Sequence, residues 1–195
     1  MKLNLEDYVV KQSSFLENDF CDETITNLKQ LQKLKWEKHH YHQKSTDEFI
    51  SNGDQELDIV YALELDSTQI IMKKLWKGIS NYVDSFDYPW FYNWSGYSLI
   101  RYNRYSVNQK MELHCDHIQT LFDGKYKGIP TLSCLGLLND DYEGGEFFIL
   151  DDLKIDLNKG DLLIFPSNFM YPHRVEPVLS GIRYSYISWV WWCLV

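Results

Sequence analysis

Basic side chains are in short supply in this chain: 19 Lys and Arg face 28 Asp and Glu, a formal net charge of −9 over 195 residues. That balance argues against a protein whose main task is gripping a phosphate backbone, and it leaves the fold undetermined. Cysteine is scarce too. Cys21, Cys115, Cys134 and Cys193 lie far apart with no C-x-x-C, so neither a disulfide framework nor a zinc ribbon is expected. The longest apolar run, ISWVWWCLV (187–195), has about half the length a membrane helix needs. The opening MKLNLEDYVV has neither the basic nor the apolar region of a signal peptide. The expectation is a cytoplasmic protein with reduced thiols and no membrane partner, in which the sequon Asn93-Trp94-Ser95 stays idle.

Internal repeats and low-complexity tracts are missing as well. What is present is apolar enough, at 45% hydrophobic and 16% aromatic, to build a core and to exclude wholesale disorder. The length suits one domain, 1–195, whose texture changes midway. Residues 1–95 read as helical support with edge strands. Asp22 is expected to cap a helix carrying Ile25, Leu28, Leu31 and Leu34. Asp66 and Ser67 precede a second, with Ile71, Leu75, Ile79, Tyr82, Val83 and Phe86 on one stripe. Between them 45–56 reads as a polar loop, and the aromatic knot FDYPWFYNW (86–94) reads as packing between helix and sheet.

From Gly96 onward the pattern is β. Runs such as GYSLIRYNRY, KMELHCDH, TLSCLGLLN, DLLIF and GIRYSYISWVWW are separated by turn chemistry at Asp123-Gly124, Gly144-Gly145, Asn158-Lys159-Gly160 and Ser180-Gly181. Seven or eight mostly antiparallel strands in residues 96–195 suggest a sandwich or jelly-roll barrel, with the helices on one outer face. The fold class is therefore mainly β with flanking helices, α+β.

Only six histidines occur, and three fall together in HHYH (39–42), which reads as a solvated run rather than a second metal site, with His40 and His42 as alternative lining of a substrate entrance. His114 and Asp116 are two apart in a β-like run, so both side chains project from one strand face. His173 lies on a later strand in YPHRV. Two imidazoles and one carboxylate make the facial triad of non-haem Fe(II) oxygenases, which leaves adjacent positions on the metal open. H-x-D alone is weak evidence. Arg183 strengthens it: alternation puts Arg183, Ser185, Ile187 and Trp189 on one face, and an inward guanidinium needs an anion such as a carboxylate.

The stretch from about Ser98 to Trp189 resembles the Fe(II)/2-oxoglutarate-dependent dioxygenases, most closely the prolyl 4-hydroxylase-like branch. The matching segments are YNRYSVNQKMELHCDH (102–117), LLNDDYEGGEFFI (137–149), KGDLLIFPSNFMYPHRVEPV (159–178) and GIRYSYISW (181–189). The resemblance implies a double-stranded β-helix, a jelly-roll or cupin-like barrel, as the catalytic core of 96–195. It implies His114, Asp116 and His173 as Fe(II) ligands and Arg183 as the anchor for the distal carboxylate of 2-oxoglutarate, with Ser185, Tyr105 and Asn103 beside it. Trp189 and Met111 fall at its substrate pocket. The implied reaction is hydroxylation of a C–H bond, on a prolyl residue of a peptide or protein, using O2 and 2-oxoglutarate, releasing succinate and CO2, with ascorbate as a further cofactor.

Two departures stand out. The turn that in the family often holds glycine is Val107-Asn108-Gln109, and Met111 replaces a tyrosine. Asp116 itself excludes the halogenase variant, in which a small residue opens a chloride site. The E-G-G-E turn (143–146) reads as a tight turn or bulge, Cys115 as core, His117 as surface or as a support to the ligands, and Lys125 and Lys127 as solvated. Two rival readings remain. NRY followed by H-x-D also resembles AlkB-type nucleic-acid demethylases, but their R-x-N-x-T-x-R run is absent and the acidic balance disfavours nucleic acid. The other is a non-catalytic jelly-roll binding module.

Overall fold

The computed structural model describes residues 4–31, 35–43, 48–51, 53–86, 96–116 and 129–192. Leu34, most of the aromatic knot, His117, the Asp123-Gly124 turn, Lys125, Lys127, the sequon and Cys193 lie outside these, as do residues 45–47 and 52 of the expected polar loop 45–56.

A short turn of 3-10 helix, Leu5–Tyr8, leads into strand β1 (Val10–Gln12) and helix α1 (Asn18–Gln30). Strands β2 (Glu37–Lys38), β3 (Tyr41–Gln43), β4 (Glu48–Ile50) and β5 (Asp58–Val60) precede helix α2 (Asp66–Asp84). Then come β6 (Gly96–Tyr97), β7 (Arg101–Tyr105), β8 (Met111–His114), β9 (Ile129–Leu137), β10 (Glu143–Gly144) and β11 (Phe147–Ile149). The last are β12 (Leu153–Ile155), β13 (Leu162–Pro166), β14 (His173–Val175), β15 (Val178–Ser180) and β16 (Arg183–Trp192).

The main sheet runs β1-β13-β9-β16-β7-β5-β2, with β6 also on β16, and a smaller sheet runs β12-β11-β14-β8. All the pairings between these strands are antiparallel. The architecture agrees with the jelly-roll expectation, and the polar loop expected at 45–56 instead contains β4, which pairs with β3.

Alternation divides the main sheet into two jobs. One face, with Tyr102, Leu132, Cys134, Leu162, Ile164, Tyr184, Tyr186 and Val190, packs against α1 and α2. The stripe expected on α2 is the one it buries: Ile71, Leu75, Ile79, Tyr82 and Val83. Helix α1 starts five residues earlier than expected, with Glu17 at its cap, so Asp22 sits inside its second turn, and Cys21, Thr24, Ile25 and Leu28 make the contact. The shift follows the burial: Cys21 is wholly enclosed and must be helical to reach the sheet. The other face meets the small sheet through Tyr105, Leu135, Leu163 and Phe165 against Met111, Phe147, Ile149 and Val175. Among the described residues no helix is long and apolar enough to cross a membrane.

Candidate active site

The inner face of the main sheet is where polar groups collect. Arg101, Asn103, Ser133, Arg183 and Ser185 are all buried there, against the usual preference for apolar interiors. Register fixes their order: Arg183 lies opposite Tyr105, Ser185 opposite Asn103, Ile187 opposite Arg101 and Trp189 opposite Ser133.

The histidines come from the small sheet. His114 at the end of β8 pairs in register with His173 at the start of β14, and their ring centroids are 4.3 Å apart. Asp116 follows two residues on. Its carboxylate lies 3.5 Å from His114 Nε2 and 3.7 Å from His173 Nε2, and the three ligand atoms fall within 4.8 Å of one another. Each imidazole is oriented by the backbone. His114 Nδ1 sits 2.8 Å from the Glu112 carbonyl and His173 Nδ1 3.0 Å from that of Tyr171, an arrangement that puts the proton on Nδ1 and the lone pair on Nε2. Ser133 Oγ donates to Asp116 Oδ2 at 2.6 Å and meets Ser167 Oγ at 2.7 Å. Among the described residues this is the one group of three or more ligating side chains. Two neutral nitrogens and one carboxylate suit a divalent transition metal, and the facial arrangement suits Fe(II).

The electrostatics point the same way. Burial alone would raise the Asp116 carboxyl, but His173, His114 and the Ser133 hydroxyl outweigh it and hold the group far below the carboxylate range. His173, 4% exposed, is pushed down to about 4 by burial and by the neighbouring His114. His114 is raised: burial works against its charge, but the hydrogen bond and charge of Asp116 prevail. Phe147 and Phe165 pack round the His173 ring, keeping that side dry.

Arg183 is the largest fully buried side chain, at 1% exposure, and it has no described carboxylate partner. Its Nη1 donates to Ser185 Oγ at 3.1 Å, its guanidinium carbon lies 5.1 Å from the Tyr105 ring centre, and its buried Nε has no partner among the described residues. An orphaned buried donor on a cation asks for an anion, so these residues fit a terminal carboxylate of a 2-oxoacid whose other end reaches the metal. Gly145, at φ +65°, belongs to this cradle: a Cβ there would stand 3.1 Å from Arg183 Cδ. The E-G-G-E turn thus forms a bulged strand end, as expected, with β10 shifting register between Glu143 and Gly144. Asn108 at φ 68° supplies the left-handed turn residue that glycine often gives.

The remaining expected residues are distributed unevenly. Tyr105 stacks on Arg183, but Asn103 Oδ1 accepts a hydrogen bond from Arg101 Nε at 3.0 Å. Trp189 is half-buried with the Arg101 guanidinium 5.2 Å above its ring, whereas Met111 packs in the inter-sheet core. Cys115 is only partly buried, past the end of β8, its Sγ 3.6 Å from the Phe169 carbonyl, so it is less enclosed than a core residue. His39, taken as solvated, is half-buried with Nδ1 3.2 Å from Oε1 of the buried Glu56. Arg101, Ser133, Ser167 and Glu56 escaped sequence reasoning. Arg101 carried a signal, since it alternates with Asn103 and Tyr105; the serines carried none.

The sequence model of the 2OG-Fe(II) oxygenase superfamily matches residues 100–191. A PKHD-type hydroxylase of Xylella fastidiosa is 37% identical over 100 residues, covering 46% of this chain and 43% of its own. One from a Psychrobacter species is 37% identical over 95 residues, covering 46% and 36%. The chain thus matches less than half the length of these relatives. A Trichoplax adhaerens prolyl hydroxylase, solved with a hypoxia inducible factor peptide fragment, superposes with TM-score 0.68 at 18% identity over 95% of this chain and 84% of that one. A viral collagen prolyl hydroxylase from Paramecium Bursaria Chlorella virus-1, solved with 2OG, gives 0.62 at 18% identity over 96% and 97%. The solved structures speak for a shared fold, and the segment that the 2OG-Fe(II) oxygenase superfamily model matches bears the histidines, the aspartate and the arginine.

Proposed function

We propose that the protein is an Fe(II)- and 2-oxoglutarate-dependent hydroxylase of a C–H bond, acting on a prolyl residue of a peptide or protein and releasing succinate and CO2. The observation that carries this reading is the pairing of two unlike sites between the two sheets. His114 and His173 of the small sheet, with Asp116, bring three ligand atoms within 4.8 Å, and the buried Arg183 with its orphaned Nε lies on the inner face of the main sheet. Bound Fe(II) with 2-oxoglutarate and O2 would supply the oxidation of the C–H bond. His114 and His173 present neutral Nε2 atoms because the carbonyls of Glu112 and Tyr171 hold their other protons. Asp116 stays ionised and is kept in orientation by Ser133. Arg183 and Ser185 receive the distal carboxylate, and Tyr105 holds the guanidinium plane.

The peptide or protein substrate is supported by the Trichoplax neighbour, which was solved with a peptide. A single domain with its catalytic part in 96–195, and ascorbate as a reductant that keeps the iron ferrous, belong to the same reading. Free thiols at Cys21, Cys115 and Cys134 support a reducing, cytoplasmic setting.

The test is direct. Purified protein given Fe(II), 2-oxoglutarate and a library of proline-containing peptides should form succinate and add one oxygen to some peptides by mass spectrometry. His114→Ala and Asp116→Ala should abolish both. Succinate formation that survives either substitution, or a wild type that consumes no 2-oxoglutarate, would overturn the proposal.

A further inference from the structure

Arg183 is not the only buried guanidinium on this face. Arg101 is 8% exposed on the same inner face, and no described carboxylate lies within 4.0 Å of it. Its Nε is spent on Asn103 Oδ1 and its plane lies over Trp189, while its two terminal amino groups have no hydrogen-bond partner among the described residues. Burying a charge without a partner is costly, and a chain with few basic residues has placed one here. Asn103 and Trp189 hold the guanidinium in one orientation, which favours recognition of a planar anion.

Position separates the two arginines. Arg101 is opposite Ile187, four residues along β16 from Arg183, or ~13 Å of strand. A diacid held by Arg183 has one carboxylate engaged there, and its keto-acid end would be committed to the metal-binding group, which is tied to the Arg101 end of the sheet because Asp116 bonds to Ser133, opposite Trp189. Neither end is then free to pair with Arg101. A second anion has to come from the molecule being oxidised.

We propose that Arg101 is a specificity-determining residue that binds a carboxylate of the substrate, so that the protein acts on a carbon near an acidic group. This rests on the hydroxylase reading above and narrows its substrate class. The carboxylate has two sources, the chain end of a proline-terminated substrate or an acidic side chain beside the target, and the two call for different probes.

Binding can be read without turnover. Protein loaded with Mn(II) and 2-oxoglutarate is titrated by calorimetry with N-acetylproline against N-acetylproline amide, and with acetyl-Pro-Asp-amide against acetyl-Pro-Asn-amide. At least one charged member should bind tenfold or more tightly than its neutral twin. The first pair reports a terminal carboxylate, the second a side chain. In Arg101→Gln the preference should shrink to twofold or less, with part restored in Arg101→Lys and the 2-oxoglutarate affinity unchanged in both. The proposal falls if wild type prefers neither charged probe, a result that needs no variant to fold. It also falls if the preference survives in Arg101→Gln, or if that variant loses 2-oxoglutarate affinity instead, which would make Arg101 a co-substrate residue. Failure of the hydroxylase reading looks different: metal-loaded wild type would then not bind 2-oxoglutarate at all.

Discussion

Replacing Arg183 by Met separates the cost of a buried charge from its use. In the ligand-free protein the guanidinium carries an orphaned Nε, a liability of about 1–3 kcal/mol. Against this the side chain contributes one hydrogen bond to Ser185 and a stacked contact with Tyr105, together about 1–3 kcal/mol. The two nearly cancel, so Arg183→Met should move the ligand-free melting temperature by no more than a few degrees. With 2-oxoglutarate the balance tips. Truncating one member of a buried, hydrogen-bonded charge pair costs about 2–5 kcal/mol, or roughly 30-fold to several thousand-fold in affinity. At a ligand concentration a hundred times the wild-type Kd, wild type gains about 2.7 kcal/mol, which is ~5–11 °C for a chain of this size. The variant should gain about 0.9 kcal/mol or less at the same concentration, ~3 °C at most. Thermal melting of the Mn(II)-loaded protein with and without 2-oxoglutarate measures both quantities. A variant that keeps the full ligand shift, or one that melts ten degrees lower without ligand, would refute the reasoning, the first by removing the anion site and the second by making Arg183 a structural residue.

Metal affinity should fall as pH drops. His114, raised by Asp116, protonates first on descending through its pKa, whereas His173 resists until about 4 and Asp116 stays ionised. Mn(II) titrations between pH 8 and 6 should therefore show one proton displaced per metal or fewer, and two would contradict the assignment. Ser133→Ala removes the donor to Asp116 and should weaken metal binding about 10–100-fold with little change in melting, because the hydroxyl only orients the ligand. Gly136→Ala would drive a Cβ into the Tyr186 ring and should cost at least ~1–3 kcal/mol in denaturant unfolding. Tyr186→Phe should be neutral or stabilising, since that hydroxyl is buried without a described partner.

Much of this was legible along the chain because period-two alternation is local. The run GIRYSYISWVWW announces a strand with Arg183, Ser185 and Trp189 on one face, and β16 bears them so. The α2 stripe is equally local. The misreadings share a cause, which is that partners distant in sequence decide them. Asp22 looks like a cap, but Cys21 must reach the sheet and the helix begins earlier. His39 looks solvated, yet Glu56 closes over it from across the β2–β5 pairing. Ser133 has no sequence signature at all; its role exists only because β9 passes beneath Asp116. Arg101 is a different case. The alternation that exposes Asn103 and Tyr105 includes it, and resemblance to a family drew attention to the other two alone.

The two faces of the main sheet explain how such a polar interior is tolerated. Buried guanidiniums, serines and an asparagine on one face contribute little net stability and leave donors without partners. The opposite face of the same strands carries Tyr102, Leu132, Leu162, Ile164, Tyr186 and Val190 against two helices, a largely apolar contact. Each strand therefore offsets its own polar residues through the backbone they share. It follows that weakening the helix contact should unfold the protein without first changing its ligand preferences, whereas changes on the inner face should alter ligand binding before stability. Leu75→Ala and Arg101→Gln, one from each face, put the two halves of that claim on opposite axes of the same pair of measurements.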